Sequence, residues 1–307
     1  KEGRRGTPWR SVGIPAAAVR LRLPVPFPIP HSLFPVLVSA LCGFLNLDSA
    51  PADSQLVAAQ LARLAHLAPD GSGTFTDGPV ALGHRLLSIT PESVAETSPW
   101  RSADGQRVIA FDGRLDHRED LWAALGVPPA ERGMPDPELI LRAYEKWGAE
   151  CAAKLDGEFA FALWDARQQK LFCATDAFGN RGFYYHCAGP KFVFASTIRG
   201  VLAVPGVPRA LDELALACHL GGVPAPVGRT LYAGITRLPG ACTLTVRPGG
   251  EPRVHRYWQL TMEPEIRLRR PEDYAETLRE MLDRATLSAL RTNHPVAAML
   301  SGGLDST

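Results

Sequence analysis

Four short apolar runs follow one another at residues 159–164, 171–175, 182–186 and 192–196, and they restrict the fold of this chain more than any other feature. Each is too short for a stable helix and rich in Phe, Val, Ala and Tyr. Between them lie Asp165-Ala166-Arg167, Asp176-Ala177-Phe178-Gly179 and Ala188-Gly189-Pro190, all turn-forming stretches. Parallel strands need a crossover of a dozen or more residues, which these gaps do not offer. The spacing therefore predicts an antiparallel meander.

Helices and further strands flank this block. Residues 41–47 read as a buried strand, after which Asp53 or Ser54 caps a helix carrying Leu56, Val57, Leu61, Leu64 and Leu67 on one face. A strand is expected at 80–89 and another at 107–111, ending in an Asp112-Gly113 turn, followed by a helix-like stretch at 116–125. Asp136-Pro137-Glu138 supplies an N-cap and an N1 proline for a helix over 139–147, with Gly148 placed to end it. Further on come a short helix at 212–220 and a hairpin of 242–246 with 253–257 around Pro248-Gly249-Gly250. After a linker at 261–270, an amphipathic helix begins at Pro271 with Tyr274, Leu278, Met281, Leu282 and Ala285 on its apolar face.

A chain of 307 residues, 46% hydrophobic and 21% charged, can bury a sizeable core and is long enough for two domains. Its net charge of +1, with no basic stripe carrying aromatics, argues against a nucleic-acid partner, and no membrane partner is expected. The six cysteines show no Cys-x-x-Cys spacing and read as core thiols in a reducing, cytoplasmic compartment. Residues 1–37 are rich in Pro and Arg and are expected to be disordered or a non-native leader, the first methionine being Met134. Arg20 and Arg22 ahead of an apolar stretch imitate a secretory signal, but Leu41 stands where processing wants a small residue.

At the other end, the apolar run Val296-Ala297-Ala298-Met299-Leu300 leads into Ser301-Gly302-Gly303-Leu304-Asp305-Ser306-Thr307. A buried strand feeding a Gly-rich turn presents backbone N–H groups to a phosphate. No Gly-Lys-Ser/Thr follows, so this is not a Walker loop. Its spelling resembles the pyrophosphate loop of ATP pyrophosphatases.

Taken in order, the motifs resemble the asparagine synthetase family over residues 38–307. Cys42-Gly43-Phe44 is similar to the nucleophile end of its glutaminase domain, Gly83-His84-Arg85 to its Arg-containing strand, and Phe111-Asp112-Gly113 to its Asn-Gly turn. Asp136-Pro137-Glu138-Leu139 resembles its Ser-Asp-x-Glu helix start, Leu155-Asp156-Gly157-Glu158-Phe159 opens its most recognisable strand, and Leu238-Pro239-Gly240 looks like its Leu-Pro-x-Gly turn. The resemblance implies an α+β fold, a four-layer α-β-β-α N-terminal-nucleophile glutaminase sandwich over 38–260. It also implies a linker and the first strand and phosphate loop of an α/β adenylating domain over 261–307.

In such an enzyme a cysteine thiol attacks the amide of glutamine, its own α-amine acts as base, and an Asn side chain with a Gly N–H holds the oxyanion. The resemblance places Cys42, Asp112 and Gly113 in catalysis and Arg85 and Asp136 on the substrate. It places Leu300, Ser301, Gly302, Gly303, Asp305 and Ser306 on ATP, with Asp305 at Mg2+. Three departures point to a degenerate glutaminase site. Asp112 stands where Asn is expected, and an ionised Asp cannot donate a hydrogen bond. Leu86 takes the place aligned with the carboxylate-binding Arg, and a slip of one residue turns Arg85 to the other face of its strand. Residues ahead of Cys42 make its nitrogen an amide.

The expected activity is that of an asparagine synthase-type ATP-dependent ligase forming a C–N bond, with ATP going to AMP and pyrophosphate, inactive as this stretch alone. Its small-molecule substrates are glutamine or ammonia and an amino-acid or peptide carboxylate, and a homodimer is compatible with the family. One alternative is a lasso-peptide or β-lactam-type cyclase that uses the glutaminase domain as scaffold. Another is a non-catalytic partner-binding homologue.

Overall fold

A computed structural model describes residues 37–262, 265–297 and 301–303, all within one unit of the chain. The expected disorder of residues 1–37 lies, apart from Leu37, outside the described residues. In chain order the elements are β1 (Ala40–Asn46), α1 (Ser54–Leu64), β2 (Gly71–Asp77), β3 (Val80–Leu86), β4 (Trp100–Arg101), β5 (Arg107–Leu115), α2 (Arg118–Leu125) and α3 (Asp136–Trp147). They continue as β6 (Gly157–Asp165), β7 (Lys170–Thr175), β8 (Tyr184–Ala188), β9 (Lys191–Ala195), α4 (Ile198–Val201) and α5 (Glu213–Leu220). Last come β10 (Thr236–Arg237), β11 (Cys242–Val246), β12 (Arg253–Arg256) and α6 (Pro271–Ala289).

The strands form two six-stranded sheets, ordered β10-β8-β9-β1-β3-β2 and β12-β11-β7-β6-β5-β4, antiparallel throughout. The expected meander is therefore two hairpins in different layers. β6 and β7 pair in one sheet, β8 and β9 in the other, and the segment between them crosses the sandwich. Local spacing dictates antiparallel neighbours but carries no information on which sheet each pair joins.

Alternation of side chains along the strands builds the layers. Leu41 and Leu45 of β1, Val80 and Leu82 of β3, Val108 and Ala110 of β5 and Ala160, Ala162 and Trp164 of β6 meet between the sheets. The opposite faces pack outward. Ala40, Cys42 and Phe44 lie under Val57, Leu61 and Leu64 of α1, and Ile109, Phe159, Phe161 and Leu163 lie under Leu139, Ile140 and Ala143 of α3. The result is a four-layer α-β-β-α sandwich. Asp53 caps α1 by accepting the Gln55 N–H, and Gly126 and Gly148, both at positive φ, end α2 and α3.

Three boundaries differ from expectation. β2 is absent from the sequence reading because alternating Gly and Thr give no apolar period. β5 runs straight through Asp112 and Gly113, which pair with Ala160 and Phe159, so they form no turn. Asp136 is the first residue of α3, with Pro135 as cap residue, and its carboxylate bonds elsewhere.

Candidate active site

The same alternation decides which residues can reach a site between the sheets. On β1, Leu41 and Leu45 point inward and Cys42 points outward, where it is fully buried against the α1 layer. A Cβ placed on Gly83 of the neighbouring strand would meet Val57 Cγ2 and Cys42 Sγ at 2.8 Å each. Burial pushes the Cys42 thiol far above the ordinary cysteine range despite the opposing charge of Arg85, which removes the thiolate a nucleophile needs. Cys42 is a core thiol. This corrects its assignment as the nucleophile.

The β1-side residue that faces the site is Ser39, two positions before Leu41. It lies with Leu86, Leu87, Ile89, Thr90, Ser93, Glu96, Phe111, Gly113 and Asp136 around a cavity of about 10 Å³, room for roughly one water. The Ser39 hydroxyl accepts the Leu87 N–H at 2.9 Å. Sequence reasoning missed this residue. The signal was available in the two-residue period counted back from Leu41.

β3 repeats the pattern. Val80 and Leu82 face inward, so Leu86 lines the cavity while Arg85 turns to the helical layer, where its Nε donates to the Leu61 carbonyl at 3.0 Å. Arg85 does not reach the site. His84, on the inward face, is fully buried with Nε2 2.6 Å from the Phe111 carbonyl, and burial holds its pKa down to about 4.

On β5, Asp112 shares the inward face with Val108 and Ala110 and is buried. Its Oδ1 has no hydrogen-bond partner among the described residues, and Arg181 Nη1 stands 4.0 Å away. Burial raises its carboxyl to about 7 against the pull of Arg181. That rise favours the acid form of Asp112, which can donate one hydrogen bond, as the expectation of an ionised Asp did not allow. Gly113 has φ 138°, and a Cβ there would lie 2.0 Å from the Glu158 carbonyl, so close pairing with β6 requires glycine.

Asp136 is almost fully buried and held by two arginines and one backbone N–H. Its Oδ2 accepts the Leu115 N–H at 2.8 Å and the Arg291 Nη2 at 3.1 Å, while Arg118 Nε lies 3.3 Å from Oδ1. Glu92 completes the group, 2.5 Å from Arg118 Nη1 and 2.7 Å from Arg291 Nη1. Burial raises the Asp136 pKa, opposed first by Arg291 and then by Arg118. Nearby Glu96 is raised to about 7, mainly by burial, with Ser98 opposing and Asp136 adding. Nothing in the sequence joins Glu92, Arg118 and Arg291, because they come from three distant segments.

At the end of the chain, Ser301, Gly302 and Gly303 form a bend with Gly302 at φ 77° and open space beside it. Leu300, Asp305 and Ser306 lie outside the described residues, as does much of the expected terminal strand; its described part, residues 296 and 297, is not in a strand. No cluster of potential metal ligands occurs among the described residues.

A family model described as a glutamine amidotransferase domain matches residues 39–258, and one described as asparagine synthase matches residues 277–307. The chain belongs to the asparagine synthetase family. Asparagine synthetase [glutamine-hydrolyzing] 3 of Bacillus subtilis is 30% identical over 78% of this chain and 39% of its own length. A putative asparagine synthetase of Mycobacterium bovis is 31% identical over 87% and 45%, and the amidase chry2 of Gibberella zeae 31% identical over 80% and 36%. The chain spans between about a third and a half of the length of these relatives. Among solved structures, a glutamine phosphoribosylpyrophosphate amidotransferase of B. subtilis overlays at TM-score 0.49 and 15% identity, covering 72% of this chain and 50% of that one.

Proposed function

We propose that residues 38–260 form the amidotransferase-type domain of an ATP-dependent C–N ligase in which glutamine hydrolysis has been lost, and that 261–307 opens the synthetase portion. The observation that carries this reading is what stands at three positions: Ser39 and Leu86 line the cavity, and Asp112, buried on β5 between the cavity-lining Phe111 and Gly113, takes the place of the expected Asn. A serine hydroxyl is a weaker nucleophile than a thiolate and needs a free α-amine as base, and Leu86 offers nothing to a carboxylate. A cavity of about 10 Å³ has room for a water and not for a glutamine.

The nitrogen donor is then ammonia or another amine, and the glutaminase layers serve as scaffold. The Ser301-Gly302-Gly303 bend is read as the phosphate site from its Gly-rich spelling, with Gly302 at positive φ and open space beside it. ATP bound there would activate a carboxylate with loss of pyrophosphate, with Mg2+ on its phosphates. A lasso-peptide or β-lactam-type cyclase, whose nucleophile is an amine of the substrate itself, is favoured by the same three residues as a second reading.

The test is ammonia release from glutamine. The chain should show none above background, while a version beginning at residue 39 with Ser39→Cys, Leu86→Arg and Asp112→Asn should gain it. Brisk release by the unaltered chain, lost on Ser39→Ala, would overturn the proposal. Loss on Cys42→Ala instead would restore Cys42 as nucleophile.

A further inference from the structure

The acidic socket beside the cavity already holds a cation, and that cation comes from the stretch leading to the phosphate loop. Arg291 lies just beyond α6. Its Nη1 meets Glu92 at 2.7 Å, and its Nη2 reaches both Asp136 Oδ2 at 3.1 Å and the Leu115 carbonyl at 2.7 Å. The neighbouring chain is docked in the same place. Arg114 Nη1 donates to the Ala289 carbonyl at 2.8 Å and the His117 N–H to the Ser288 hydroxyl at 3.3 Å. Beyond Arg291, the Asn293 N–H donates to the Ile89 carbonyl at 2.9 Å, and His294 Nε2 lies 3.2 Å from the Ser88 carbonyl. Residues 288–294 thus form a strap across the segment that follows β3, and the other side of that segment is the cavity wall.

We propose that Arg291 is the internal occupant of an ammonium socket formed by Asp136 and Glu92, so that a free ammonium ligand and the seated strap exclude each other. Charge decides this. With both carboxyls ionised, Asp136 and Glu92 are balanced by Arg118 and Arg291, so these four side chains sum to zero, and burial favours the neutral form of neighbouring Glu96. A further ammonium would add uncompensated positive charge to a site whose side chains are 3–19% exposed, where screening is weak. With Arg291 withdrawn, the socket carries one net negative charge and accepts a monocation. Asp136 Oδ2 is the oxygen that Arg291 would free, while Oδ1, buried without a hydrogen-bond partner among the described residues, keeps Arg118 as its ionic neighbour.

Ser301 lies ten positions after Arg291, a span of at most about 35 Å of extended chain. Occupancy of the socket is coupled to where the strap of residues 288–294 is held. The ligand class is a small primary ammonium. The coupling rests on the socket's geometry and charge, and it holds whether or not glutamine is hydrolysed.

The probe is 4-aminobutanamide, which carries an ammonium and an amide but no carboxylate that Leu86 would have to accept. By calorimetry the unaltered chain should bind it weakly or not at all, and Arg291→Gln should bind it at least roughly tenfold more tightly. Adding Asp136→Asn to Arg291→Gln should abolish the gain, and Arg291→Lys should behave like the unaltered chain. Limited proteolysis of Arg291→Gln should cut the strap faster. Equal binding by the unaltered chain and Arg291→Gln overturns the proposal, as does an unchanged cleavage rate. Should Arg291→Gln fail to fold, hydrogen exchange on the unaltered chain decides: saturating probe should accelerate exchange of the Asn293 amide, and binding without that acceleration is the contrary result. Ammonia release from glutamine is not among these readouts, so failure here leaves the reading of the glutaminase pocket to its own test.

Discussion

Replacing Asp112 by Asn should stabilise the chain at alkaline pH and do little in acid. Asp112 is 2% exposed, its ion-pair partner among the described residues is Arg181 at 4.0 Å, and burial lifts its carboxyl from 3.8 to about 7. Between those values the folded chain holds a proton that the unfolded chain has released, so stability falls as pH rises from about 4 to about 7 and is level above. A shift of about three units corresponds to about 4 kcal/mol lost by pH 8 as a ceiling, and only about 1.5 kcal/mol by pH 5. Asn carries no charge to desolvate and removes this dependence, whereas Glu96, also raised, keeps its own slope in both proteins. Urea unfolding at pH 5 and pH 8 should therefore show Asp112→Asn gaining about 2 kcal/mol or more over the unaltered chain between the two pH values. An equal effect at both pH values, or a loss at pH 8, would refute the assignment of a buried, weakly compensated carboxyl.

Two further outcomes follow from strand parity. At pH 8 iodoacetamide should label exposed Cys187 in the folded chain and reach buried Cys42 only on unfolding, as read by mass spectrometry of the peptides; early labelling of Cys42 would contradict its place beneath α1. Arg85→Ala should cost about 1 kcal/mol in unfolding free energy through loss of its bond to Leu61, and should leave any binding of glutamine unchanged. Loss of glutamine binding in that variant would place Arg85 at the site after all.

Local chemistry written along the chain determined most of the elements. Asp53 ahead of an apolar helical period, Pro137 and Gly148 at the ends of α3, and the Pro-Gly-Gly between β11 and β12 each act within a few residues, so the sequence alone suffices to read them. The order of motifs from Gly43-Phe44 to the Ser-Gly-Gly end likewise determined the family, since collinear short-range patterns survive without any knowledge of packing. Leu86 at the expected Arg position was legible too, and the period of two gave the reason to doubt Arg85, although the resemblance still placed Arg85 on the substrate and the structure turns it to Leu61. The same count, applied to β1, distinguishes Ser39 from Cys42, but only once Leu41 is known to face the inner layer, and that depends on which sheet covers which face. Tertiary structure alone decided that the four central strands divide between two sheets, because antiparallel spacing is identical in either arrangement. It alone raised the Asp112 carboxyl, since desolvation belongs to the surroundings and not to the residue. It alone brought Glu92, Arg118, Asp136 and Arg291 together, because a charge pair across the fold requires only proximity and leaves no periodic trace in the chain.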